Sequence, residues 1–134
     1  MKQIFYTLVT MTLSFFELSA FDQAEFFESR IRPVLAENCY ECHNSINKSK
    51  SGLVLDFKGG MVRRGDKGAV LSLKKPEESL LLQVMRHEIN NLKMPKGGPK
   101  LADSIIMDFE KWISNGAYDP REKPPTAEEF AKET

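Results

Sequence analysis

Apolar residues recur at helical spacing in three stretches of this chain, and each stretch is framed by residues that start or stop helices. The first runs from about Asp22 to Asn38. Phe27, Ile31 and Leu35 fall four apart on one face, and Phe26 and Val34 widen it. Asp22 can cap this helix, with Glu25 three residues on completing a capping-box pattern. Pro33 removes a backbone donor and crowds the preceding turn, so a kink or break is expected there. The second helix is expected to begin at Pro76, which suits a first helical position, with Glu77 and Glu78 at the positive end of the dipole. Its stripe is Leu80, Leu81, Val84 and Met85, and it should fade near Asn90-Asn91. The third spans about Asp103 to Asn115, with Ile105, Phe109, Trp112 and Ile113 on one face and Gly116 as a left-handed cap.

The stretches between are polar or rich in glycine and proline. Asn44 to Lys50 reads as a surface loop, and Met94-Pro95-Lys96-Gly97-Gly98-Pro99 cannot be helical. Gly52-Leu53-Val54-Leu55-Asp56 is a short apolar run suited to an extended strand or a lid. Gly59, Gly60, Gly65 and Gly68 argue against long regular elements before Pro76. The fold class is therefore expected to be all-α and small. From Asp119 onward, Pro120, Pro124, Pro125 and a charged run read as a linker or frayed end over 119–134.

The first twenty residues follow the order of an export signal: Lys2, a charge-free apolar stretch from Ile4 to Phe16, then Leu18-Ser19-Ala20. The stretch is short of the roughly 20 residues that span a bilayer. An uncleaved anchor or a buried helix is the alternative. The expectation is an exported, periplasmic or extracytoplasmic protein with no stable membrane insertion once residues 1–20 are removed, and a domain over 21–118. Nineteen basic residues balance nineteen acidic ones, so no global charge draws the chain to nucleic acid or an anionic surface.

The candidate chemistry is concentrated at Cys39-Tyr40-Glu41-Cys42-His43. Cys-x-x-Cys-His is the attachment signature of c-type haem. Two cysteines three apart on a helical turn face the same way, so each sulfur can add to one vinyl group of the porphyrin while His43 comes under the iron. A zinc site, a redox dithiol and a plain disulfide are the rivals. Zinc wants four ligands, and the chain offers only Cys39, Cys42, His43 and His87 among its cysteines and histidines. A second axial ligand should come from a later segment. Met94, in a rigid loop before a proline, can supply a soft thioether; Met/His ligation raises the reduction potential. His87, late in the second helix, is the alternative distal ligand; a histidine at a helix end also gains from the dipole without any metal.

With Cys39-x-x-Cys42-His43 and Lys93-Met94-Pro95 in place, the chain resembles the cytochrome c superfamily, and more narrowly the planctomycete-type cytochrome c domain. Phe26 to Leu35 with its proline, Gly52-Leu53-Val54-Leu55-Asp56, Pro76 to Leu81, Met94-Pro95 and Trp112-Ile113 with Gly116-Ala117 carry the resemblance, over about residues 24 to 118. Lys96 stands where the family often has a second proline. The resemblance implies a cytochrome c-like fold of three to five helices around one covalently bound haem c. It also implies Cys39 and Cys42 as attachment sites, His43 as proximal and Met94 as distal iron ligand.

A six-coordinate iron has no open position, so the expected function is one-electron transfer to redox partner proteins rather than catalysis. A weakly ligated distal site would instead allow a catalytic or sensory role, and the domain could also serve a partner dehydrogenase as electron acceptor. Lys93, Lys96, Lys100, Lys48 and Lys50 form either a basic rim for an acidic partner or ordinary solvated surface.

Overall fold

The computed structural model describes residues 22–63 and 69–134; the export signal expected over 1–20 lies outside the described residues. All regular structure among the described residues is helical, apart from an isolated bridge between His43 and Ser49. Among the described residues, α1 (Arg32–Asn38), α2 (Lys58–Val62), α3 (Leu80–Met85), α4 (Asp103–Ser114) and α5 (Ala127–Glu133) follow in chain order. This is a small all-α, cytochrome c-like fold.

The first apolar face folds as the spacing predicts, but Pro33 does not break it. Residues 22–26 are helical, Phe27–Ile31 form a π-helical segment, and α1 follows directly. The Arg32 amide donates to the Phe27 carbonyl, five residues back. A proline ring pushes away the carbonyl four residues before it. The wider π turn makes that room without ending the helix. Phe27, Ile31 and Leu35 are fully buried. Phe27 packs against Trp112 of α4 with ring centroids 5.9 Å apart, and Trp112 meets Phe109 edge-on at the same distance. Ile113 and Ile106 complete the inner face of α4, and Leu81, Leu82 and Met85 come from α3.

The second helix departs from expectation at both ends. Pro76–Glu78 form a 3-10 turn, the chain turns extended at Ser79 with ψ 123°, and α3 begins only at Leu80. Ser79 is fully buried, and its hydroxyl accepts from the Ser72 amide at 2.9 Å, a bond that an uninterrupted helix would not present. The helix then stops at Met85, well before Asn90. His87 stands beyond it in the left-handed region, φ 60°.

The third helix ends as read. Gly116 has φ 96°, and the Ala117 amide reaches back to the Trp112 carbonyl at 2.9 Å. The Trp112 indole then donates to the Tyr118 carbonyl at 2.7 Å.

The tail is neither linker nor frayed end. Asp119 is buried, Arg121 pairs with it at 2.8 Å, and α5 carries a capping box between Thr126 and Glu129. Phe130 lies 5.9 Å from the Tyr40 ring, and Glu133 pairs with Arg32. Proline content suggested a linker because composition does not reveal contacts with residues far away in sequence.

Gly60 in α2 lies against the extended segment, where a Cβ would sit 2.5 Å from the Val54 carbonyl oxygen. Gly60→Ala should therefore lower stability by about 1–3 kcal/mol, the usual cost of overpacking, read as a reduced urea midpoint with unchanged slope.

Candidate functional site

The segment Cys39–His43 continues from α1 as a helix-like turn. The amides of Cys42 and His43 both donate to the Cys39 carbonyl, at 3.1 and 3.0 Å. Asn44 then closes the turn. Its side-chain oxygen accepts from the amides of Ile46, Asn47 and Lys48, at 2.9, 2.8 and 3.3 Å. Its side-chain nitrogen donates to the Tyr40 carbonyl at 2.7 Å. The chain reverses through this polar loop and returns as the extended Leu53-Val54-Leu55. The Leu55 amide donates to the His43 carbonyl at 2.9 Å. Asp56 fixes the return by accepting from the amide and hydroxyl of Ser45, both at 2.7 Å.

This geometry sets Cys39 and His43 on the wall of one cavity. The cavity has about 780 Å³ of empty space, counting the part open to solvent. Leu53, Leu55, Val70, Leu81, Val84 and Leu101 make its walls apolar. Met94 and Pro95 line it as well, brought in from the loop between α3 and α4. The Met94 amide donates to the Val84 carbonyl at 3.0 Å, which ties that loop to the end of α3. Cys42 is half-buried and is not part of this lining.

His87 is not on the cavity wall either. Its Nε2 lies 3.1 Å from the Met94 carbonyl oxygen, which can only accept, so Nε2 carries the proton in this contact. A non-glycine residue at φ 60° costs of order 1–3 kcal/mol, and the contact with Met94 shows what that backbone conformation achieves. His87 thus sits behind the residue for which it was the alternative ligand.

Burial governs the ionisation of the lining groups. The Cys39 thiol is pushed up to about 12 by desolvation. His43 is buried, and desolvation holds its imidazole below the ordinary range, although nearby backbone groups oppose this. Its Nδ1 is enclosed with no hydrogen-bond partner. A neutral imidazole is the form that binds a metal. Both cysteines are free thiols. Among the described residues no group of three or more His, Cys, Asp or Glu side chains converges as a metal site, whereas a structural zinc site usually takes four ligands. An imidazole and a thioether on one apolar wall, with a thiol beside them, do fit a haem. Cys39 and Cys42 would hold its edge, and His43 and Met94 its metal.

Asn44, Asp56 and Arg121 were missed by sequence reading. The run Asn44-Ser45-Ile46-Asn47 carried a usable signal for the first, since asparagine side chains commonly bond backbone amides two or three residues on. Asp56 and Arg121 act through contacts that no local pattern encodes.

Residues 39–98 match the family model described as Planctomycete cytochrome C. No curated protein and no solved structure matches the chain. Among the described residues no helix is long and apolar enough to cross a membrane.

The contact between His87 and Met94 can be separated from the backbone conformation of residue 87. His87→Gly keeps the left-handed turn and loses the ring. Loss of the hydrogen bond, worth about 1 kcal/mol, is offset by relief of the left-handed backbone strain, so stability should change little. The glycine variant should also speed hydrogen exchange at the Met94 amide, while His87→Ala should cost about 1 kcal/mol, because it loses the bond and keeps the strained backbone.

Proposed function

We propose, on the premise that residues 39–98 are a planctomycete-type cytochrome c domain, that the chain is an exported mono-haem c-type cytochrome carrying single electrons. The observation that supports this reading is the convergence of Cys39, His43 and Met94 on one apolar cavity from segments 51 residues apart between ligands. When bound, haem c supplies the gain and loss of one electron. The chain's own residues do the rest. Cys39 and Cys42 anchor the porphyrin edge, so the cofactor is retained outside the cytoplasm. His43, kept neutral by burial, serves as proximal ligand. Met94 serves as distal ligand, and its loop is held by Val84 and His87. Leucine and valine walls exclude water. A low-polarity surround disfavours the more positively charged oxidised state and so raises the potential.

With His43 and Met94 both holding the iron, the protein would be a carrier rather than an enzyme. The partner would be another redox protein. Lys48, Lys50, Lys93 and Lys96 are exposed and have no ion-pair partner among the described residues, whereas Lys100 is paired with Asp103 at 2.7 Å. This supports a basic rim of four lysines around the opening, suited to an acidic partner. Export follows from the order of charged, apolar and small residues in 1–20.

A pyridine haemochrome spectrum of the full protein should show one haem per chain that resists acid–acetone extraction. Cys39→Ala with Cys42→Ala should release it. Extractable haem in the unaltered protein, or none, would sink this reading. Redox titration should follow a one-electron curve. The reduced protein should bind carbon monoxide slowly, and Met94→Ala should bind it rapidly. Rapid binding by the unaltered protein would point instead to a catalytic or sensory site.

A further inference from the structure

The family match ends at Gly98, yet the turn that bears His43 is gripped from behind by residues further along. We propose that Asp119 and Arg121 are positioning residues that hold His43 in place and set the charge behind it. This rests on the reading of His43 as an iron ligand.

Asp119 is 1% exposed, and its carboxylate receives the Arg121 fork at two points, Nε to Oδ1 at 2.9 Å and Nη2 to Oδ2 at 2.8 Å. The Arg121 amide donates to the same carboxylate at 2.9 Å. So fixed, the guanidinium has donors left over for two further partners. Nη1 donates to the Tyr40 hydroxyl, and Nη2 donates to the Leu55 carbonyl at 3.1 Å. Tyr40 is fully buried between the two cysteines of the motif, and Leu55 is the residue whose amide holds the His43 carbonyl. One side chain therefore grips both the turn that leads into His43 and the extended segment that pins it. The guanidinium also stacks over the Phe27 ring, 4.8 Å from its centroid, which ties it to the core of the first helix. A mere anchor for the tail would need only one of these bonds. Lysine could not reproduce them, because it lacks the planar fork.

The pair is enclosed, so removing one member leaves the other's charge uncompensated behind the site. An extra anion favours the oxidised, more positive iron, and an extra cation disfavours it.

The test uses the full haem-loaded protein and the variants Arg121→Met, Asp119→Asn and Arg121→Lys. Hydrogen exchange at the Cys42, His43 and Leu55 amides should rise about tenfold in each variant, with the interior of α4 unaffected, as expected for local opening. The midpoint potential should fall in Arg121→Met and rise in Asp119→Asn, a pattern that loss of stability alone does not produce. Should Arg121→Met fail to fold, Arg121→Lys carries the exchange comparison and Asp119→Asn the potential. Unchanged exchange at the three amides, acceleration spread equally into α4, or potentials that stay fixed or move in one direction would overturn the proposal. Absence of haem from the unaltered protein would remove the ligand reading of His43 itself, and the exchange comparison would still decide whether the pair holds the turn.

Discussion

Asn44 closes the turn on which the candidate site is built. Its side chain satisfies three amides ahead of it and one carbonyl behind it, so the chain can reverse right after His43 without leaving buried backbone groups unpaired. Orphaned groups of this kind cost about 1–3 kcal/mol each. The reversal lets Leu53 and Leu55 return beside the turn, with the Leu55 amide on the His43 carbonyl. Without that return, the cavity would lack one wall and the imidazole would lack its backbone anchor.

The site is asymmetric in polarity. On the cavity side stand leucines, valines, a thioether and a neutral imidazole. On the opposite side of the same turn lie Asn44, Asp56, Asp119 and Arg121, which bond mainly to one another and to backbone. Polar groups are costly inside a small domain unless they are paired. Gathering them behind the turn keeps the cavity wall apolar while giving the turn directional bonds that apolar packing cannot supply. Burial raises the Tyr40 hydroxyl above its ordinary range even with Arg121 beside it, so this phenol is held as a neutral acceptor of the guanidinium bond.

Much of this was legible in the chain. Phe27, Ile31 and Leu35, and likewise Phe109, Trp112 and Ile113, read as core because helical spacing needs no knowledge of the partner face. Cys39, His43 and Met94, which share the cavity wall, stood out because their chemistry ties them to spacing and loop context, whereas Cys42 stands outside that wall. What was not legible depends on distant contacts. Arg121 reaches Tyr40 across 81 residues and Leu55 across 66, so its segment looked like a charged proline-rich tail. The late start of α3 turns on a serine that bonds outside the helix, and the strained backbone at His87 is held by a carbonyl seven residues ahead. Local propensity carries neither fact.

The π-helical segment at Phe27–Ile31 bears on how this helix tolerates change in length. Each residue of an ordinary helix advances the face by about 100°, so one inserted residue would normally swing everything before it off the core. A wide turn stores that extra residue in place. The two ends of 22–38 can then stay in register with α4 and with the Cys39 turn even though the helix is one residue longer than its regular repeat needs. Deletion of a single residue, a change usually confined to loops, has here a site inside a core-packing helix where it leaves both ends aligned.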